Sequence, residues 1–563
     1  MKTLIQGGHL VDPSREVDRL EDIWIDGDRI IDGASLRPQD ADVVIDATDC
    51  VVMAGGIDIH THIGGGKLAI ARMLLDDVLQ ASARSAQEPA GESAFLPVAA
   101  VAAKRYLEMG YTVGFEPAML PTNARAAHSE MNDMPALATG GYCILGNDDV
   151  LLSMIADQLP QSLINDYVAW MVKATQAIAV KVVNPGGISA FKFGLREFDV
   201  DTPHPRYGVT PAQIIRVLAR ATHEIGLVHP LHVHCSNLGV PGNIASTLAT
   251  IEAADGLPIH LTHVQFHCYG NEGPYRMSSA AEQLVAALNR HPNVTVDVGQ
   301  VMFGQTVTIS ADSMHQHANR KRATPRKTAL VDIECEAGCG VVPFRYRRRR
   351  FVHSLQWAIG LELFLTIDDP ARVFLTTDHP NGAPFTAYPH LIRLLGDRSF
   401  RETALAEIHP DAAAASSLAG IDREYLVHEI ATMTRSGPAS ILGLADRGHL
   451  AAGAIADLAL YRRDDQNLEK MFRSPEHVFV RGQHVIDSTS SDRLRAVASD
   501  RSKLPPQTLT ADLVSNPESV DGFAERFQQR SCFDLRRLWI SDDELHSVIG
   551  SEPVKQFSRG RER

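Results

Sequence analysis

Two histidines, His60 and His62, close the run Val51-Val52-Met53-Ala54-Gly55-Gly56-Ile57-Asp58-Ile59-His60-Thr61-His62. If that apolar run is a strand, side chains two apart leave the same face, so both imidazoles can reach one metal ion. The motif alone is weak evidence, because paired histidines on a strand are more often solvated or hydrogen-bonded. Groups of the same kind end other short apolar segments: Lys181, His232 or His234, His263 and Asp378. Each has an ordinary structural reading, such as a hydrogen-bonded histidine, a salt-bridged lysine or a turn aspartate before His379-Pro380. Together, four imidazoles, a lysine and a carboxylate at one mouth suit a zinc-type site with nitrogen and oxygen ligands.

The elements that must bring them together alternate. Counting from Val51, strands are expected there and at Tyr111-Phe115, Tyr142-Leu145, Ile178-Val183, Leu231-Cys235, Ile259-Val264, Val294-Val298 and Val373-Asp378. Helical material separates most of them, including an Ala-rich stretch over 68–110 and a helix opened by Thr210-Pro211. Eight strands in alternation predict an α/β fold, a metal-dependent (β/α)8 TIM barrel, whose reactive groups belong at the C-terminal strand ends.

Residues 1–50 read as short strands cut by turns, with an Asp26-Gly27 hairpin signal. The barrel is expected over 51–439, with a long insertion near 302–369 that holds Glu334-Cys335-Glu336 and the run Arg345-Tyr346-Arg347-Arg348-Arg349-Arg350. Residues 440–487 turn β-like again and complete a flanking β-sandwich built from both chain ends. Residues 488–563 read as an extension over the surface or over a partner.

A net charge of −14 on 563 residues argues against nucleic acid as the default partner. The arginine run fits a subunit contact or anionic substrate groups. Seven scattered cysteines without a Cys-x-x-Cys pair fit a reducing cytoplasm. No apolar run reaches membrane-spanning length.

The motif Gly56-Ile57-Asp58-Ile59-His60-Thr61-His62, the later strand-end histidines and Thr377-Asp378-His379 resemble the amidohydrolase superfamily, in particular its hydantoinase and dihydroorotase-like branch. Gly7-Gly8-His9-Leu10-Val11-Asp12-Pro13 and the segment from Ile441 to Leu458 match the β-sandwich of that branch. Lys181-Val182-Val183-Asn184-Pro185-Gly186-Gly187, Leu261 to His267, Val296 to Val301, Gln356 to Leu363 and Phe374 to Gly382 narrow the resemblance. They look like the family of A-type subunits of formylmethanofuran dehydrogenases, most of all the α subunits of bacterial formyltransferase/hydrolase complexes.

That resemblance implies two divalent metal ions, zinc by preference, held by His60, His62, Lys181, His234, His263 and Asp378, with Lys181 carboxylated on its amine. Lys192 rivals Lys181, and His232 rivals His234. It implies hydrolysis of an N-formyl group on a methanofuran-type amine to formate, with Asp378 as acid and base, His234 at the reacting centre, and Asn184 and His267 as orienting groups. A polyglutamate-bearing coenzyme, a formyltransferase and other subunits of a cytoplasmic hetero-oligomer are the implied partners. The alternatives are a subunit of an archaeal-type dehydrogenase, a cyclic amidase and a non-catalytic scaffold.

Overall fold

The computed structural model describes residues 1–75, 96–273, 275–310, 329–333, 337–488, 507–513, 525, 535–549 and 553–556. Eight parallel strands follow one another around a barrel: Gly56–Asp58, Tyr111–Met119, Ala138–Leu145, Ala179–Val183, Leu231–His234, Ile259–Leu261, Val294–Asp297 and Val373–Phe374. Each pairs with its sequence neighbour. The ring closes at Thr61 and His379, which form a parallel bridge, and the His62 N–H donates to His379 O at 2.9 Å. Strands four, five and six are buried along their whole length. Burial on both faces explains why they read as continuous apolar runs.

The run from Val51 is two strands, not one. Cys50–Ala54 pairs with His9–Asp12 and Leu458–Arg462 in the sandwich, and only Gly56–Asp58 enters the barrel. Glycine is needed at the crossing. A Cβ on Gly55 would stand 2.2 Å from the Thr112 hydroxyl, and one on Gly56 2.6 Å from the Tyr111 ring.

The sandwich has a six-stranded sheet running Gln483–Asp487, His477–Val480, Leu458–Arg462, Cys50–Ala54, His9–Asp12, Val17–Leu20, so both chain ends build it. A four-stranded sheet, Arg29–Ile31, Ile23–Asp26, Lys2–Gln6 and Val43–Asp46, supplies Ile5, Ile23, Ile25 and Ile30 to a core shared with Val52, Leu458 and Phe479. The Asp26-Gly27 signal is a hairpin, with Asp26 paired to Arg29.

Between strands seven and eight, Gly304–Ser310, Ala337–Tyr346 and Ala329–Ile333 form their own antiparallel sheet. The helix Phe351–Thr366 packs into the main barrel core through Leu355, Trp357 and Leu361. Glu334, Cys335 and Glu336 lie outside the described residues, as does part of the Ala-rich stretch, of which Gly66–Leu74 and Ala99–Leu107 are helices. The C-terminal extension is not only a surface cover. Its strand Gln507–Ala511 pairs with the start of strand three, and the Ala511 N–H donates to Ala177 O at 3.1 Å. Among the described residues no helix is long and apolar enough to cross a membrane.

Candidate metal centre

His60 and His62 leave strand one at the barrel mouth with their Nε2 atoms 3.0 and 3.3 Å from Asp378 Oδ1. Asp378 follows strand eight with φ +50°, and its other oxygen accepts from Asn381 Nδ2 at 3.1 Å. Burial opposes charge on this carboxyl. The imidazoles of His263, His60 and His62 outweigh it, so the group sits well below the usual carboxylate range.

His62 is oriented by Glu116, which strand two places 3.0 Å from its Nδ1. Glu116 also accepts from the N–H groups of Ile63 at 2.9 Å and Gly64 at 3.1 Å. Burial raises the Glu116 pKa, but His62 and these donors lower it further, leaving it below the ordinary value. A carboxylate on the far ring nitrogen fixes tautomer and direction, as in many metal-bound histidines.

His263 carries two ligand triads. His60, His263 and Asp378 converge in one, and His234, His263 and His267 in the other, with the ligand atoms of each within 4.8 Å of one another. His60 Nε2, His263 Nδ1 and Asp378 Oδ1 are buried with no hydrogen-bond partner among the described residues. The close His60 to Asp378 approach is therefore a meeting of ligand atoms, not an aligned hydrogen bond. A buried polar atom left unmatched costs about 1–3 kcal/mol. His60 Nε2 and Asp378 Oδ1, unmatched and 3.0 Å apart in a triad with His263, fit a bound cation.

Lys181, at 2% exposure, lines a cavity of about 100 Å³ with His62, His234, His263 and Asp378. Burial pulls its pKa down to about 8, against the opposing charges of Asp378 and Asp297. Its rival Lys192 is exposed at the end of the helix Gly187–Lys192. His234 faces the cavity. His232 lies underneath, 2.9 Å from His60 Nδ1 and 3.0 Å from His229 Nε2. His60, His232 and Asp297 also bring ligand atoms together, yet both ring nitrogens of His232 already face imidazole partners.

Asn184 does not line the cavity. It takes φ +44° and donates its N–H to His234 O at 3.0 Å, which ties strand end four to strand end five. His267 is buried on the turn Val264–His267, with its ring 5.2 Å from that of His263 and 5.1 Å from that of His234.

Sequence reasoning missed Glu116 and Asp297 as supports. Asp297 accepts from the His263 N–H at 2.7 Å and meets His260 Nε2 at 3.1 Å. Both are carboxylates at the ends of apolar strand runs, which was the available signal. It also missed the outer cavity wall of Lys67, Thr308, Ile309, Tyr346 and Asn381. All five arginines of 345–350 are exposed. Arg348 pairs with Glu407, and Arg349 donates to Ile408 O at 3.3 Å.

An eight-stranded barrel with histidines and an aspartate at its C-terminal mouth, beside a two-ended sandwich, defines a metal-dependent hydrolase scaffold. Residues 43–486 match the amidohydrolase family, and the chain belongs to that family. It is 45% identical to the A component of the formyltransferase/hydrolase complex Fhc of Methylorubrum extorquens over 496 residues, covering 86% of this chain and 88% of that one. It is 34% identical over 568 residues to the protein FwdA of Methanocaldococcus jannaschii, covering 97% of this chain and 98% of that one. A chain in the crystal structure of the formyltransferase/hydrolase complex FhcABCD from Methylorubrum extorquens in complex with methylofuran superposes with a TM-score of 0.90. There the identity is 41%, over 99% of this chain and 100% of that chain.

Proposed function

We propose that this chain is the hydrolytic subunit of a formyltransferase/hydrolase complex and releases formate from the N-formyl group of a methanofuran-type coenzyme. The observation that carries the reading is its likeness, over nearly the whole length, to a chain of the methylofuran-bound complex. The strand-end ligand set supplies the chemistry. His60, His62, Lys181, His234, His263 and Asp378 hold two divalent cations, with zinc suited to these nitrogen and oxygen donors and Lys181 carrying a carbamate. Bound there, the cations supply Lewis acidity, easing the deprotonation of water and offsetting charge on the formyl oxygen.

The chain's own residues do the rest. Asp378, ionised and 4% exposed, accepts a proton from the attacking water and returns it to the departing amine. The C–N bond breaks, the amine leaves neutral with the returned proton, and the water oxygen with its remaining proton ends in formic acid, which ionises to formate in solvent. Glu116 holds His62 in register, and Asp297 holds His263. The apolar walls of Val183, Leu238 and Phe266 exclude bulk water from the formyl group. The exposed arginines at 345–350 receive anionic tails of a polyglutamate-bearing coenzyme or a partner subunit, in a cytoplasmic hetero-oligomer.

The identity to FwdA favours a second reading, the archaeal-type role in which this barrel is the formate end of a redox complex. The test is formate release from N-formylated coenzyme by the purified complex with no electron acceptor present. Release at full rate supports the hydrolase. Carbon dioxide in place of formate, formed only when an acceptor takes two electrons per formyl group, transfers the chain to the second reading, and neither product in either case rejects both.

A further inference from the structure

The turn after strand eight is held from outside the barrel. Two strands of the insertion sheet, Gly304–Ser310 and Ala337–Tyr346, reach it. The Thr306 hydroxyl donates to Pro380 O, the Tyr346 hydroxyl to Asn381 O at 2.9 Å, and the Ile309 N–H to Asn381 Oδ1 at 2.6 Å. The sheet order makes the last bond available. Gly304–Ser310 pairs with Ala337–Tyr346 on one side only, and along an antiparallel pair alternate residues turn their N–H groups away from the partner. The Ile309 N–H is one of these outward donors, and Asn381 takes the place of a missing strand.

Asn381 has its other end on Asp378. Its Nδ2 donates to Asp378 Oδ2 at 3.1 Å, and its backbone N–H donates to Asp378 O at 2.6 Å. Which amide atom faces which partner is decided by Ile309. A backbone N–H can only donate, so the atom before it is the amide oxygen, and the amide nitrogen must face the carboxylate. The flipped amide would set two donors together and an oxygen against Oδ2.

The consequence for Asp378 is geometric. Its Oδ1 stands 3.0 and 3.3 Å from the Nε2 atoms of His60 and His62, while Oδ2 is turned to Asn381. Rotation about the Cβ–Cγ bond would exchange the two oxygens, and that torsion is soft in aspartate. The fixed amide removes the freedom. A tether that served only to close the cavity could end anywhere on the turn, whereas this one ends on the carboxylate.

We propose that Asn381 is a positioning residue for Asp378 and that the insertion sheet sets it. The Ile309 N–H orients the amide, and the amide holds the carboxylate in the rotamer that takes the proton from water. The inference rests on the reading of Asp378 as the proton carrier of formyl hydrolysis.

The test is a double-mutant cycle in the purified complex, with formate release from N-formylated coenzyme as the rate and bound metal counted by mass spectrometry. Asn381→Asp keeps the shape and the acceptor for Ile309, but it sets a carboxylate without a donor against Oδ2. At full metal occupancy it should lower kcat by about 10–100-fold, with KM near that of the parent. In the Asp378→Asn background the same change should have no further effect, because no proton carrier is left to orient. An unchanged kcat in Asn381→Asp would overturn the proposal. So would the same fold-loss in both backgrounds, since a merely structural role is indifferent to residue 378, and so would a loss of rate that follows lost metal. If Asp378→Asn by itself kept full turnover, the proton-carrier reading would fail first and the positioning role with it. Should Asn381→Asp not fold, Asn381→Ala in the same two backgrounds reads the same coupling.

Discussion

His232 and His260, in the interior of the barrel, use both ring nitrogens: His232 against His60 and His229, His260 against Asp297 and Thr295. At the mouth above them, His60 Nε2, His263 Nδ1 and Asp378 Oδ1 have no such partners among the described residues. The residue types are the same and both layers are buried, so composition does not separate them. What separates them is whether the protein itself completes each atom's bonding. A completed buried network rigidifies a core, whereas an incomplete one that converges is a cradle. His60 belongs to both, with Nδ1 facing the completed layer and Nε2 the cradle.

The largest effect should come from His263→Ala, because that side chain serves both triads at once. Bound metal should fall and formate release drop to background while the circular dichroism spectrum stays that of the parent. Full turnover in this variant would erase the distinction between the layers. Asp378→Asn comes next. The amide keeps a coordinating oxygen but cannot take a proton, so metal should stay and kcat fall by roughly 10²–10⁴-fold. Glu116→Gln removes the charge behind His62 without changing its shape, and a chelator competition should read metal affinity weakened by about 10–100-fold.

Lys181 gives a pH test of the same cradle. Its amine is held down to about 8, chiefly by burial, and only the neutral amine reacts with carbon dioxide, releasing a proton as the carbamate forms. Carbamate on metal-stripped protein should therefore rise as pH increases through about 8. Below it, the neutral amine falls by about tenfold per pH unit. Labelled bicarbonate and mass analysis at Lys181 read this directly. Label that is independent of pH, or that appears on Lys192, would remove Lys181 from the site.

The mouth was more legible in the sequence than the layer beneath it, and the reason is geometric. His60, His62, His263, Asp378 and one of His232 and His234 each end an apolar run, and in a parallel barrel all such ends share one face. Their convergence follows from the strand count alone. Glu116 and Asp297 act on partners 54 and 34 residues away, a pairing set by strand neighbourhood and side-chain direction that no local pattern carries. The split of the run from Val51 hides for a related reason. Apolar residues on both sides of Gly55-Gly56 look like one strand, and only the Thr112 and Tyr111 side chains packed against the two glycines explain the break. The strand Gln507–Ala511 was missed because its partner, Ala138–Leu145, precedes it by most of the chain.

The smallest effect on metal should come from His260→Gln, and it tests the comparison from below. His260 touches Asp297 and Thr295 and no atom of the cradle. Glutamine retains a donor and an acceptor, but it lacks the ring that sits 5.7 Å from Phe374 and 4.7 Å from His232. Loss of well-placed buried hydrogen bonds should cost about 1–3 kcal/mol, read as a lower denaturant midpoint. The metal count should remain that of the parent, because Asp297 keeps its bond from the His263 N–H. If His260→Gln instead stripped the metal as His263→Ala does, the completed layer would be part of the cradle, and the division between them would fail.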